Sequence, residues 1–222
     1  KRLLVKSQLS GELALRRLTG VCEVTKKLVF LKELRICPFS KLKVVPSELV
    51  TCAETGLLGA RVKMLKSSVS GKYVCPQRAI RSASSDLIGM RAECVKCSWY
   101  CKPVLKTEAD RCELTHLNTS KEFLNSAGEL RTLRQLLNGI NNLFPSENCL
   151  DYSSKGLILG ILKSIEPGFF KNAVDVSGFK GPGSRYALCV ELKQWLGLAT
   201  KYAGFLLDLN PPIIIGNGVI GT

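Results

Sequence analysis

At 222 residues, with 45% hydrophobic and 23% charged residues, the chain can bury a real core without metal or disulfides, and its composition excludes wholesale disorder. Basic residues outnumber acidic ones by 32 to 18, and unevenly: residues 1–122 hold 23 against 11, residues 123–222 hold 9 against 7. Such a field selects polyanions, nucleic acid first and an anionic membrane surface second, and no run of about 18 apolar residues marks a membrane-spanning helix.

In chain order, Leu9, Leu13 and Leu18, then Leu28, Leu31 and Leu34, recur at helical spacings with Arg16, Arg17, Lys26, Lys27 and Lys32 between them. This predicts two short amphipathic helices over residues 3–36, broken near Gly20. The segments Leu31–Ile36, Leu42–Leu49 and Leu133–Leu143 have the rhythm of a leucine-rich repeat. Residues 52–120 supply no contiguous units of about 20 to 29 residues, so a solenoid is not expected.

From Ala60 to Val74 partial alternation with Ser70-Gly71 at the turn predicts a β-hairpin. Arg61, Lys63, Lys66 and Lys72 give it a basic exposed face, and Arg78, Arg81 and Arg91 follow. This is where nucleic acid, RNA rather than DNA, is expected to bind, with Tyr73 as a stacking residue. The plainer role for a lone strand tyrosine is to cover the core.

Next comes the one stretch whose residue types ask for specific chemistry. Cys94 and Cys97 form a C-x2-C pair, and Cys112 and His116 a C-x3-H pair after 14 intervening residues. Two short-spaced pairs can each take one edge of a tetrahedron, which predicts a Cys3His zinc knuckle, with Cys101 as a substitute ligand. Trp99 and Tyr100 sit inside the loop and are expected either to stack on bases or to pack over the site. Ten cysteines leave two other readings open: disulfides, and inert thiols in the core.

Beyond the cysteines, Thr119-x-x-Glu122 and Ser126-x-x-Glu129 match capping boxes, and Leu133, Leu136, Leu137, Ile140 and Leu143 mark a helical stripe ending before Pro145. A second helix is expected at about Ser154–Ile165, apolar nearly all round, and a third at about Ser184–Leu207, with Leu188, Leu192, Trp195, Leu196, Tyr202 and Phe205 inward. Gly178-x4-Gly183 has Walker A glycine spacing, but Ser184 stands where lysine is needed, so a surface loop with Ser184 as helix N-cap is the simpler reading. The tail from Asn210 is too apolar for water; it docks as a terminal strand or meets a partner.

These features predict an α+β protein. Residues 1–120 form a basic part with short helices, hairpin and knuckle, and residues 121–222 a mainly α-helical part ending in an apolar tail. The expected function is a non-enzymatic, intracellular, nucleic-acid-binding or ribonucleoprotein-associated protein holding zinc, with a protein partner met through the helical part or residues 210–222. Two alternatives stand beside it: a secreted or luminal, disulfide-stabilised interaction protein, for which Asn118-Thr119-Ser120 supplies a glycosylation sequon, and a membrane-surface or matrix-like assembly protein. Catalysis has no motif; His116 is the only histidine.

Overall fold

A computed structural model describes residues 4–139, 146–194, 199–216 and 220–221. The chain divides into two compact units: residues 1–81 with 86–93, and residues 82–85 with 94–222. The dominant secondary structure is extended, in small hairpins and one larger sheet, so the expected α+β fold with a mainly helical C-terminal part is wrong.

The two helices expected over residues 3–36 are instead hairpins. Leu4–Lys6 pairs with Leu13–Leu15, and Thr19–Val21 with Leu28–Phe30. The leucines that suggested helices are not the core: Leu9, Leu13, Leu18 and Leu31 are all about half exposed or more. What lies inside is a different set, repeating every 15 residues. Ser7, Cys22, Cys37, Cys52, Ser67, Ser82, Cys97 and Cys112 are buried, each immediately after the first strand of its hairpin. Seven and eight residues further on stand two more core positions, as in Val29-Phe30, Val44-Val45, Val74-Cys75 and Val104-Leu105. A repeat period does exist, shorter than the leucine-rich length that was expected to be necessary.

Each turn is built alike. Four residues after the buried Ser or Cys, the backbone enters the left-handed region: Gly11, Lys26, Lys41, Gly56, Gly71, Asp86, Cys101 and His116 all have positive φ. There the N–H reaches back to the carbonyl of the buried residue, as from Lys26 to Cys22 at 2.8 Å and from His116 to Cys112 at 2.7 Å. Glycine adopts this conformation freely, whereas the five other residues do so at a small cost that the closed turn offsets. Most repeats then continue into a 3-10 turn, such as Leu31–Glu33 or Lys106–Glu108.

One backbone bond joins neighbouring repeats. The residue after the buried Ser or Cys donates its N–H to a carbonyl 20 positions on: in the first unit Gln8 to Leu28, Glu23 to Lys43, Ala53 to Tyr73 and Ser68 to Ile88, and in the second Ala83 to Pro103 and Ser98 to Asn118. Pro38 has no N–H and cannot make this bond. In some of these repeats the side chain takes the facing N–H as well: Gln8 Oε1 accepts from Leu28 at 3.0 Å and Ser68 Oγ from Ile88 at 3.2 Å.

The buried residue solves a second problem, the N–H 23 positions on. At three of the cysteines Sγ accepts that N–H: Cys37 from Ala60 at 3.1 Å, Cys52 from Cys75 at 3.3 Å and Cys97 from Ser120 at 3.3 Å. Where it is serine, a glutamate 26 positions on does so and the hydroxyl binds the glutamate. Ser7 donates to Glu33, which accepts from Phe30; Ser67 donates to Glu93, which accepts from Met90; Ser82 donates to Glu108, which accepts from Leu105. Burial pushes the Glu93 carboxyl up, but the hydroxyls of Ser67 and Ser70 and the Met90 N–H outweigh it and hold it below the usual range. Cysteine and the serine–glutamate pair are thus two ways of capping one buried donor.

Among the described residues the second unit adds three α-helices, α1 (Arg131–Leu137), α2 (Tyr152–Ile165) and α3 (Pro167–Phe170), and an antiparallel meander. Its strands are Ala173–Lys180, Arg185–Gln194, Ala199–Leu209 and Pro212–Gly216, with Ile220–Gly221 also pairing on the third. Helix α1 buries Leu133 and Leu136 as expected; Ile140, Leu143 and Pro145 lie outside the described residues. Neither capping box starts it, for its N-cap is Leu130 and Glu129 pairs with Arg134 instead. Helix α2 stands where expected and is capped by Asp151, which accepts from Ser154 N–H at 2.7 Å. It is one-sided: Ile158 and Leu162 are buried, while Leu157 is exposed.

The helix expected over 184–207 is two sheet strands. Ala187, Cys189 and Leu206 pack with α1 residues on one face, and Leu188, Val190, Phe205 and Leu207 with α2 and α3 residues on the other. A sheet covered on both faces has near-continuous apolar strands, which a helical period also fits. Trp195 and Leu196 lie outside the described residues. The tail docks through its Pro212–Gly216 strand, the first of its two expected fates.

Candidate nucleic-acid interface

Hairpin geometry decides which basic residues face outward. The residue just before the buried Ser or Cys is exposed in all eight repeats, because it sits on the opposite side of an extended strand. In the fifth and sixth repeats it is Lys66 and Arg81; in the seventh and eighth, Lys96 and Arg111. The first residue of the 3-10 turn is also exposed, and there stand Arg61 and Arg91 in the first unit and Lys106 and Lys121 in the second. Charge therefore recurs at fixed repeat positions.

The hairpin expected over 60–74 is present as Leu65–Lys66 paired with Tyr73–Val74, with Gly71 in its turn. Arg61 and Lys63 belong to the preceding 3-10 turn. Lys66 lies directly opposite half-buried Tyr73, and Arg81 opposite Ile88 in the next hairpin, joined to the first by the Ser68–Ile88 bond. From residue 61 to 91 there are seven basic residues, Arg61, Lys63, Lys66, Lys72, Arg78, Arg81 and Arg91, against one acidic residue, Asp86. All seven are exposed, and among the described residues none is in an ion pair.

Trp99 and Tyr100 are placed differently from the rest of that group. Trp99 is 3% exposed, and a methyl group at Gly181 would come within 2.6 Å of its ring. Packing, not base stacking, is its role. Tyr100 is half-buried with its ring edge-on to Phe123 at 4.9 Å.

The four expected zinc ligands are not brought together. Cys97 and Cys112 are successive ladder residues, fully buried, each accepting a backbone N–H, from Ser120 and Leu130. His116 and Cys101 occupy left-handed turn positions and are exposed, and Cys94 is half-buried in the seventh hairpin. Cys112 is a ladder residue and His116 the left-handed turn residue four positions on, while Cys94 opens the strand that Cys97 follows. Among the described residues no three His, Cys, Asp or Glu side chains gather as a metal site, and Cys97, Cys101 and Cys112 are in no disulfide. Under native alkylation Cys101 is expected to react first and Cys97 and Cys112 only on unfolding, with no change on adding a chelator; faster labelling of Cys97 and Cys112 with EDTA would restore the zinc knuckle.

The second unit has a cleft of about 380 Å³ between the end of α1 and the sheet. Lys155 pairs with Asp175 there at 3.3 Å, and Glu191, opposite Asp175 in the sheet, pairs with Lys193 at 2.8 Å. Burial pushes the Cys189 thiol up to about 11, so it is no nucleophile at neutral pH. The glycine-rich loop is a strand-to-strand turn in which Gly181 donates to the Arg185 carbonyl at 2.8 Å. No helix begins at Ser184, which removes the anion-binding helix end a phosphate loop requires.

Fold and surface together define a tandem β-hairpin repeat chain carrying an appended α/β-meander unit. Searches of protein-family models, curated proteins and solved structures find no match to it. Among the described residues no helix is long and apolar enough to cross a membrane.

Proposed function

We infer that the chain is a non-enzymatic nucleic-acid-binding protein whose fifth and sixth hairpins hold the phosphates of single-stranded RNA. The observation that carries this is the run of seven exposed basic residues between 61 and 91, set on a repeating frame. Lys66 and Arg81 sit at equivalent positions of adjacent hairpins, the arrangement a backbone of evenly spaced charges requires. Tyr73 beside Lys66 offers one stacking face. Such binding is dominated by counterion release, so removing one cation that neutralises a phosphate lowers the salt slope by about 0.7 on a single strand.

The test is fluorescence anisotropy with a labelled oligouridine across a salt series. The K66E/R81E variant is expected to bind at least about tenfold more weakly than the native chain, with a slope shallower by about 1.4. Equal affinity and slope for the two proteins would reject this interface. Preferential binding to anionic vesicles, lost in the same variant, would assign these charges to a membrane surface instead.

A further inference from the structure

Both methionines of the chain lie in one core cluster of the first unit, together with two thiols. Cys52 is the buried ladder residue of the fourth repeat. Cys75 and Met90 take equivalent core positions of the fifth and sixth, and Met64 opens the fifth. The two thiols touch: Cys75 N–H donates to Cys52 Sγ at 3.3 Å, and their side chains are hydrogen bonded. Met64 Sδ fills space left by Gly59, where a methyl group would come within 2.5 Å of the sulfur. The flanking repeats have Val44 and Val74 at that position, so the glycine opens the core here for a thioether. None of the four sulfur residues exceeds 8% exposure.

We propose that this cluster is a soft-metal site that binds one Cu(I) ion through the sulfurs of Cys52, Cys75, Met64 and Met90. The ligand chemistry makes the choice of ion. Apolar residues such as Val74, Val50 and Ile88 complete the cluster, and thiol and thioether sulfurs are soft ligands that disfavour hard cations. Thiolate with thioether favours Cu(I), and a dry surround protects it from oxidation. Each thiol gives its proton to solvent as its sulfur takes the metal.

The experiment is an anaerobic Cu(I) titration of the reduced full chain against bicinchoninate, beside C75V, M64L/M90L and C101S. Valine fits the core position of Cys75, as Val45 does in the third repeat, and leucine conserves methionine's volume. The native chain and C101S are expected to hold one Cu(I) against the chelator. C75V loses it, and M64L/M90L weakens it about tenfold or more while keeping its urea midpoint. Unchanged retention by both C75V and M64L/M90L, or loss with C101S, would overturn the site.

Discussion

Replacing Asp208 by alanine is expected to destabilise the second unit by about 3–5 kcal/mol, the largest single effect predicted for this chain. Asp208 and Arg185 are both buried, at 7% and 5% exposure, with Arg185 Nε 3.2 Å from Oδ2. The carboxylate also accepts from the Ser184 hydroxyl and from Asn210 N–H at 3.0 Å, which fixes the Gly181–Ser184 turn to the end of the third sheet strand. Without it the guanidinium stays buried with Cys101 Sγ, at 2.8 Å, as a poor substitute. Truncating one partner leaves an uncompensated charge, whereas R185M/D208L removes both and should recover most of the loss. Urea unfolding followed by tryptophan fluorescence, to which buried Trp99 contributes, reads this directly. Burial pushes the Asp208 carboxyl up, but Ser184, the Asn210 N–H and Arg185 outweigh it, so its folded value lies below the ordinary 3.8. A depressed value gives stability that is complete above the unfolded value and lost as pH falls through the folded one. The gap between native and D208A should accordingly persist at neutral pH and close in strong acid.

Some of this architecture was legible in the residues. The Ser70-Gly71 turn, helix α2 and the docking of the tail follow from turn chemistry, periodicity and apolar content. The repeat was not, for a physical reason: its invariants are not large. Leucine marked the half-exposed positions Leu9, Leu13, Leu18 and Leu31, while the core period was carried by serine or cysteine. The left-handed turn position is equally disguised, since Lys26, Asp86 and His116 occupy it as well as glycine. A search for small residues every 15 positions, rather than for leucine at about 20 to 29, would have found it. The sheet was missed because Arg185–Gln194 is buried on both faces and shows no alternation. At the candidate interface, the basic run of 61–91 was visible, but the frame that orders it was not. The cysteine spacing, in contrast, misled: Cys97 and Cys112 are a repeat apart, and His116 is a turn residue.

The frame itself makes the second large prediction. In the fifth and sixth repeats Glu93 accepts from Ser67 at 2.6 Å and from buried Met90 N–H at 2.8 Å. E93A leaves both groups without that acceptor, and a buried donor left unpaired costs about 1–3 kcal/mol. The hairpin that displays Lys66 and Tyr73 depends on the same turn, since Ser67 Oγ also accepts from Val69 and Ser70 N–H, both at 3.1 Å. E93A should therefore lower stability by about 2 kcal/mol and loosen RNA binding with it.

Adding S67C to E93A tests the frame most directly. A thiol at residue 67 would stand toward Met90 N–H as Cys52 stands toward Cys75 and Cys97 toward Ser120, so the urea midpoint of S67C/E93A is expected to return most of the way to that of the native chain. A double variant no more stable than E93A alone would contradict the interchange of thiol and serine–glutamate pair on which the 15-residue repeat is built.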